Sequence, residues 1–303
     1  MNYRVALLTS HRSGRGKAAE NAQLAAQKLG EGAALVFDNR EGGTGDIAED
    51  VTAALERSAN MVAILGGDGY VAKVATRMAG TDVTVLPLPG GRGNDFVRAL
   101  GIAPTLREVL AKWHSYVPRK IDVMRLRGAG GRCRDILGVL SNGIDAAVND
   151  AANKTVVPTA LGYKIALLWA AARFRPDLYE ISGISEDGAH FSLTRRSFLA
   201  AVSNDGMFGG GINVCPSSKL DDGLLELVTH DPIDSKVELA RVVKRALTGK
   251  IHLSPGYRVR RVREVTVTPL FPIQAFADGD PLWQGMVMAR ALPKHLKVLA
   301  PKG

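Results

Sequence analysis

Residues 61–100 read MVAILGGDGYVAKVATRMAGTDVTVLPLPGGRGNDFVRAL, and a pattern of strand, glycine turn and helix occurs in them twice. The apolar run Met61–Leu65 predicts a buried strand, and the apolar spacing that follows predicts a helix over Tyr70–Ala79. Val83–Leu88 predicts the next strand, with a short helix over Asp95–Leu100. Glycine at both turns lets a ligand oxygen approach main-chain N–H groups, which is how strand-to-helix turns hold phosphate.

Each of these turns also carries an acidic residue: Asp68 lies between two glycines, and Asp95 follows Asn94. Tight turns also need glycine for geometry alone, so a turn without a ligand stays an open alternative for each. N–H donors beside a carboxylate suit a nucleotide bound with Mg²⁺. The two turns together therefore predict a nucleotide site.

Other nucleotide-binding motifs fit less well. Gly67, Gly69 and Ala72 have the spacing of a relaxed dinucleotide fingerprint, but they follow the third predicted strand and no acidic strand end lies about twenty residues later. Gly16-Lys17-Ala18 lacks the first glycine and the hydroxyl of a Walker A loop. Protein-kinase signatures are absent.

Outward from this stretch, strands and helices alternate through residue 100, which predicts a parallel sheet covered on both faces. From about residue 125 the chain changes to short strands between glycine and charged turns, which favours an antiparallel β-sandwich. We therefore expect two domains with a cleft between them: an α/β nucleotide-binding domain over 1–124 and a β-sandwich substrate domain over 125–290. Residues 291–303 would form a terminal segment that returns to the first domain.

The composition is that of a globular protein: 303 residues, 46% hydrophobic and 23% charged. No apolar run approaches the ~20 residues of a membrane span, and the N-terminus lacks a secretory pattern. Two cysteines give no disulfide framework, so a reducing cytoplasm is expected. The net charge of +9 would attract anions. The densest basic run, Arg258–Arg263, has only Tyr257 nearby, so we expect a solvated face and no nucleic-acid partner.

The runs GGDG at 66–69 and PGGRGND at 89–95 resemble the diacylglycerol kinase catalytic-domain family. That family includes bacterial lipid kinases and sphingosine kinases, with NAD kinases as distant relatives. The sequence departs from the family at Tyr70 and Arg92, where threonine is usual, and at Thr9-Ser10, which replaces Asn-Pro. The resemblance implies a set of residues that hold ATP and its Mg²⁺: Ser13, Thr44, Gly66, Gly67, Asp68, Gly69, Arg92, Asn94 and Asp95.

The second half carries further segments that resemble the family. Phe276–Asp280 is similar to a segment whose glutamate is the proposed general base, so the resemblance implies that Asp280 accepts the proton of the acceptor hydroxyl, oriented by Asp122. The alternatives are an Asp-Gly-Asp hairpin without catalysis and, for Asp122, an exposed strand carboxylate. Residues 219–224 resemble a turn that holds a structural Mg²⁺ in bacterial members. There Asp222 would supply a carboxylate, and Lys219 and Leu224 their carbonyls, unless the turn is an Asp-Gly hairpin without an ion.

The resemblance implies an ATP-dependent lipid kinase that transfers the γ-phosphoryl group to the hydroxyl of a diacylglycerol or related lipid in the cleft. Asp68, Asp122 and Asp280 would be its catalytic residues. Its substrate would lie at a membrane surface, with the protein peripheral to the membrane, and a homodimer is left open. One alternative is an NAD-kinase-type enzyme on a soluble substrate. Another is a nucleotide-binding homologue without catalysis, since Asp280 is one methylene shorter than the family's glutamate.

Overall fold

The computed structural model describes residues 2–10, 17–91, 93–143, 177–207, 213–271 and 273–302. The chain forms two compact units, one of Met1–Val123 with Pro293–Gly303 and one of Met124–Leu292. The chain passes from the first unit to the second within one strand and returns within another. No helix among these residues is long and apolar enough to cross a bilayer.

The first unit alternates strands and helices, as the sequence predicts. Its elements are β1 (Arg4–Thr9), α1 (Ala18–Gly30), β2 (Ala34–Asp38), α2 (Asn39–Gly42), α3 (Ile47–Glu56), β3 (Met61–Gly66), α4 (Asp68–Ala75), β4 (Thr84–Pro89), α5 (Asp95–Ala99), α6 (Leu106–Lys112) and the start of β5 (Val117–Gly128). The strands pair in the order β2, β1, β3, β4, all parallel. Every residue of β3 and β4 is buried, because helices cover both faces of such a sheet.

The second unit is built from antiparallel strands. They are β6 (Cys133–Ile136), β7 (Val139–Gly143), β8 (Asp177–Ser185), β9 (His190–Ser197), β10 (Leu199–Ser203), β11 (Leu225–His230), β12 (Tyr257–Pro269), β13 (Gln274–Ala277), β14 (Asp280–Gln284) and the first part of β15 (Val287–Ala300), with helix α7 (Lys236–Leu247) between β11 and β12. Their order begins β14, β13, β7, β10, β11, β12.

Two hydrophobic clusters lie on opposite faces of this sheet. One contains Leu140, Val202 and Leu227, and the other contains Ala201 and Val228 together with Val242 and Val243 of α7. Successive strand residues point to opposite faces, so neighbours in one strand divide between the clusters. A parallel α/β unit and an antiparallel β unit confirm the predicted fold class.

The end of β15 completes the first unit. Lys297 and Val298 pair in parallel with Thr84 and Val85 of β4. Asp122, which lies on β5 and is fully buried, accepts the main-chain N–H of Lys294 at 2.7 Å. The alternative of an exposed strand carboxylate is therefore wrong, and the observed role of Asp122 is to hold the returning segment.

Candidate functional site

The two glycine turns lie side by side in the first unit. Parallel β3 and β4 are neighbours, with Gly66 opposite Pro89, so both turns leave the same edge of the sheet. The N–H of Gly90 donates to the Gly66 carbonyl at 3.2 Å. This edge is the carboxyl edge, where ligands bind in open parallel sheets.

The Asp68 carboxylate joins the two turns. One of its oxygens accepts the main-chain N–H of Asn94 at 2.9 Å, and the other accepts that of Asp95 at 2.6 Å. Asp68 is the first residue of α4, and Asp95 is the first residue of α5. Its observed role is therefore to position the second turn, whereas the sequence predicted that it would organise phosphates and Mg²⁺.

Close contact between the turns explains two of their glycines. A Cβ at Gly91 would lie 2.7 Å from the Gly67 Cα, and one at Gly93 would lie 2.8 Å from Oδ2 of Asp68. Any side chain at either position would separate the turns. The alternative that glycine is needed here for the geometry of the turn is therefore correct for the second turn.

Asn94 closes the second turn on itself. It has a left-handed backbone, with φ of 51°, a conformation that asparagine tolerates better than most residues. Its Oδ1 accepts the N–H of Gly91 at 2.8 Å. The main-chain N–H groups of Gly90, Asn94 and Asp95 also donate to acceptors within the protein. Together with that of Gly91, four N–H groups of the second turn are therefore occupied. These main-chain donors hold the turn together, and the contact of Asn94 with the nucleotide stays a prediction.

The first turn keeps an open approach. Among the described residues, and leaving aside the backbone of α4 itself, no atom lies within 4 Å of a Cβ built at Gly69, and Gly69 lies in the first turn of the eight-residue helix α4. The first N–H groups of a helix have no partner within it and carry partial positive charge. This end of α4 is where the geometry admits an anion.

A buried polar network lies beside these turns, and no sequence motif predicted it. Asn39 binds Thr9 through its side chain and donates from Nδ2 to Asp50 at 3.2 Å. Asp50, also buried, accepts the N–H of Thr44 at 2.8 Å. Thr44 itself is exposed, and its hydroxyl accepts the N–H of Asp46 at 3.3 Å. The network fixes the loop that carries Thr44, a predicted nucleotide contact.

Tyr70, a departure from the family, fills the space above Gly66. A Cβ at Gly66 would lie 2.6 Å from the Tyr70 ring, so only glycine fits beneath it. Burial, with a smaller contribution from the Asp50 charge, raises the pKa of Tyr70 to about 12. The phenol is neutral at physiological pH. Ser13 and Arg92, the other predicted contacts, lie outside the described residues.

In the second unit, three sequence-distant segments meet around one loop. Asp278 accepts the main-chain N–H groups of Leu137, Gly138 and Val139 at 3.0–3.1 Å. Asn204 donates from its side chain to the Leu137 carbonyl at 2.8 Å. The chain leaves the strand pairing between β6 and β7, where the N–H groups of Leu137 and Gly138 donate to the Asp278 side chain.

Asp280 lies at the start of β14, two residues after the half-buried Asp278. Asp278 and Gly279 have φ of 49° and 83°, and Ala277 pairs with Asp280, which is a two-residue hairpin of the primed type. The hairpin reading of Asp-Gly-Asp is thus correct for the backbone. Asp280 is about one third exposed, and its Oδ2 accepts from the Arg134 guanidinium at 2.9 Å.

The predicted metal turn at 219–224 does not offer a vacant carboxylate. Oδ1 of Asp222 accepts the N–H of Leu224 at 3.1 Å, and Oδ2 forms an ion pair with Arg261. Lys219 is exposed and Leu224 is buried. A divalent cation at Asp222 would lie beside a fixed positive charge, so the residues present do not fit the predicted ion.

Comparison with known proteins adds two family matches. The diacylglycerol kinase catalytic domain matches residues 4–126, and the YegS C-terminal NAD kinase beta sandwich-like domain matches residues 138–300. A diacylglycerol kinase of Mycobacterium tuberculosis is 30% identical over 307 residues, covering 99% of this chain and 96% of that protein. A YegS-like lipid kinase of Stenotrophomonas maltophilia is 24% identical, covering 86% and 84%. The crystal structure of a diacylglycerol kinase from Bacillus anthracis has the same fold, with a TM-score of 0.70 at 18% identity and coverage of 98% and 97%.

Proposed function

The chain belongs to the diacylglycerol kinase catalytic-domain family, and on that premise we propose that it transfers the γ-phosphoryl group of ATP to the hydroxyl of a diacylglycerol or related lipid. The observation that carries the proposal is the Asp68 carboxylate, which holds two glycine turns together at the carboxyl edge of a parallel sheet. Phosphoryl transfer depends mainly on positioning and charge neutralisation, which a rigid pair of turns supplies.

ATP phosphates would bind at the N-terminal end of α4. The open approach at Gly69 supports this placement, as does the glycine pair Gly66-Gly67 before the helix. The Mg²⁺ that accompanies ATP would enter as part of the substrate and neutralise phosphate charge. The carboxylates of Asp68 and Asp95 both lie against the backbone of Gly93, which gives this edge the negative charge that attracts such a cation.

Asp280 would accept the proton of the lipid hydroxyl. Its partial exposure leaves it accessible, and the anchored Asp278 behind it fixes the start of β14. Arg134 holds the carboxylate in one orientation through its ion pair. A general base must come within about 2.6–3.2 Å of the hydroxyl, directly or through one water, and an orienting partner lowers the cost of that geometry. The orientation of Asp280 by Asp122 stays a prediction.

The lipid acceptor would be met at a membrane surface. The outer face of α7 supports this, because Val237, Arg241 and Lys244 repeat at helical spacing and all three are exposed. Apolar and basic side chains on one helix face favour anionic lipid surfaces. Sedimentation with vesicles containing an anionic phospholipid, but not with neutral vesicles, should be lost in Arg241→Glu/Lys244→Glu. Equal sedimentation with both vesicle types would contradict this placement.

The test of the main proposal is transfer of radiolabel from γ-labelled ATP to a panel of acceptors: diacylglycerol, sphingosine and monoacylglycerol in mixed micelles, with NAD as a soluble acceptor. We expect labelled lipid and no labelled NAD. Asp280→Ala should lose turnover while keeping ATP affinity, whereas Asp234→Ala, an exposed aspartate of the same unit, should behave as the unsubstituted protein. Label on NAD alone, or ATP binding without transfer to any acceptor, would reject the proposal.

A further inference from the structure

The turn over 219–224 is fastened by a guanidinium. Arg261, on β12, contacts the Oδ2 of Asp222, and the other oxygen of Asp222 is taken by the main-chain N–H of Leu224. The Asp222 side chain is about one fifth exposed, so this pairing lies mostly away from solvent. Both carboxylate oxygens are thereby engaged by groups of the protein.

The same guanidinium reaches a second turn. Its NH1 donates to Oε1 of Glu186 at 2.6 Å, in the connection between β8 and β9, while the N–H of Glu186 donates to the Arg261 carbonyl at 3.1 Å. Arginine has five donors in a rigid planar fork, so that one side chain can bind two carboxylates at once. Arg261 therefore links two turns from the strand between them.

The strand pairing fixes where this guanidinium lies. Glu226 of β11 stands directly opposite Arg261 in the antiparallel pair, so both side chains emerge on the same face of the sheet. Glu226 is 1% exposed. The guanidinium thus pairs with the carboxylates of Glu186 and Asp222, while the Glu226 side chain lies on the same face of the sheet.

We propose that Arg261 takes the place of a structural divalent cation in this chain: its guanidinium neutralises Asp222 and closes the 219–224 turn, so that folding of the second unit needs no metal. A cation on Asp222 would have to displace the guanidinium or lie beside its positive charge. The Arg261 guanidinium can replace the divalent cation because it supplies both a positive charge and directed hydrogen bonds. This inference does not depend on the proposed reaction.

The test is thermal unfolding of the nucleotide-free protein, once with EDTA and once with millimolar MgCl₂. We expect Mg²⁺ to leave the unfolding midpoint of the unsubstituted protein unchanged. If Mg²⁺ does raise that midpoint, the Asp222→Asn variant should show the same rise, because the ion then binds at another site. A rise in the unsubstituted protein that Asp222→Asn abolishes would overturn the proposal. This comparison remains decisive even where an Arg261 variant fails to fold.

Arg261→Met should lower the midpoint in EDTA by several degrees. Arg263→Met is the matched control, because Arg263 also bonds to the 185–188 turn, through the Glu186 carbonyl at 3.1–3.2 Å, but has no contact with Asp222. We expect a markedly smaller loss in the control. An unchanged midpoint in Arg261→Met, or an equal loss in both variants, would overturn the assignment of the Asp222 charge to Arg261.

Discussion

Asp68 accepts the main-chain N–H of Asp95 at 2.6 Å, so the first residue of one helix binds the first residue of another that begins 27 positions later. With the parallel bond to Asn94, a single carboxylate sets the distance between the two glycine turns. Hydrogen bonds to a charged acceptor contribute about 1.5–3 kcal/mol each, more than neutral ones. The geometry of the proposed phosphate site thus depends on this one side chain.

Asp68→Asn should therefore damage the site while preserving side-chain volume. The amide nitrogen cannot accept an N–H, so one of the two bonds is lost and the second turn loses its fixed position. We expect turnover to fall by roughly 10²-fold or more, the size of effect that small misplacements in an active site produce. Steady-state phosphoryl transfer measures this, with Asp82→Asn, an exposed loop residue of the same unit, as the control. Turnover within a few-fold of the unsubstituted protein would show that Asp68 is dispensable.

Substitution of Asp278 should lower the stability of the protein, whereas substitution of Asp280 should lower its turnover. The half-buried Asp278 accepts three main-chain N–H groups, and its removal leaves those donors unpaired at about 1–3 kcal/mol each. Asp278→Ala should therefore unfold at a clearly lower temperature. Asp280→Ala should unfold near the original temperature but lose transfer, because Asp280 is partly exposed. Calorimetry and transfer assays on both variants test this assignment. A loss of stability in Asp280→Ala, together with a loss of transfer alone in Asp278→Ala, would contradict it.

Arg134→Gln should lower turnover without weakening ATP binding. The guanidinium contacts the Asp280 carboxylate and is not part of the glycine turns. Without it Asp280 samples several rotamers, and we expect about a 10-fold loss in kcat, the lower end of what general acid–base groups contribute. Arg134→Lys, which keeps the charge, should recover part of the loss. A raised KM for ATP with unchanged kcat would place Arg134 in nucleotide binding instead.

Glu226→Gln should flatten the pH dependence of stability. Burial raises the pKa of the Glu226 carboxyl to about 7 from its ordinary 4.5, and the nearby Asp222 charge adds to the rise. The folded state therefore holds a proton that the unfolded chain has released. The stability gained is fully present below about pH 4.5 and is lost as the pH rises through about 7, at most about 3 kcal/mol. Unfolding midpoints between about pH 5 and pH 8 should fall less in Glu226→Gln; parallel curves would contradict this role.

The two cysteines should react with a thiol reagent at very different rates. Cys133 is exposed, whereas Cys215 is buried, and burial raises the pKa of the Cys215 thiol to about 12. Because the thiolate is the reactive form, Cys215 stays inert at pH 8. We expect one fast equivalent of labelling, abolished in Cys133→Ser, and a second equivalent only in denaturant. Two fast equivalents in the folded protein would show that Cys215 is accessible.

Much of the fold could be predicted from the sequence, because the spacing of apolar residues along the chain indicates which side chains are buried. The strands β3 and β4 and the helices that follow them were predicted to within a few residues. The family resemblance is confirmed by matches to residues 4–126 and 138–300. These features depend on local chemistry, which neighbouring residues encode.

Long-range hydrogen bonds were not predictable in this way. The sequence marked Asp68 as a ligand for phosphate and metal, but its partners lie 26 and 27 residues away, and nothing local assigns them. The same holds for Asp278, whose partners lie about 140 residues earlier. The basic run was expected to be a solvated face. Arg258, Arg260 and Arg263 are exposed, yet each also binds another segment of the second unit.

One element was missed although its signal was present. β9 has Phe191 and Leu193 at alternate positions, and both pack against the larger core of the second unit. Period-two alternation is the mark of a half-buried strand, but the hydroxyl residues and arginines in the rest of β9 make its average polarity high. The polar residues on the exposed face of β9 thus hid the apolar pattern of its buried face.

The first unit is discontinuous in sequence, and this has a consequence for biogenesis. During translation, β1 to β4 leave the ribosome long before residues 294–298, which supply the N–H for Asp122 and the neighbour of β4. The second unit must emerge in full meanwhile. The nascent α/β sheet therefore keeps an unprotected edge until residues 294–298 have emerged, which makes this protein a strong candidate for chaperone engagement at that edge.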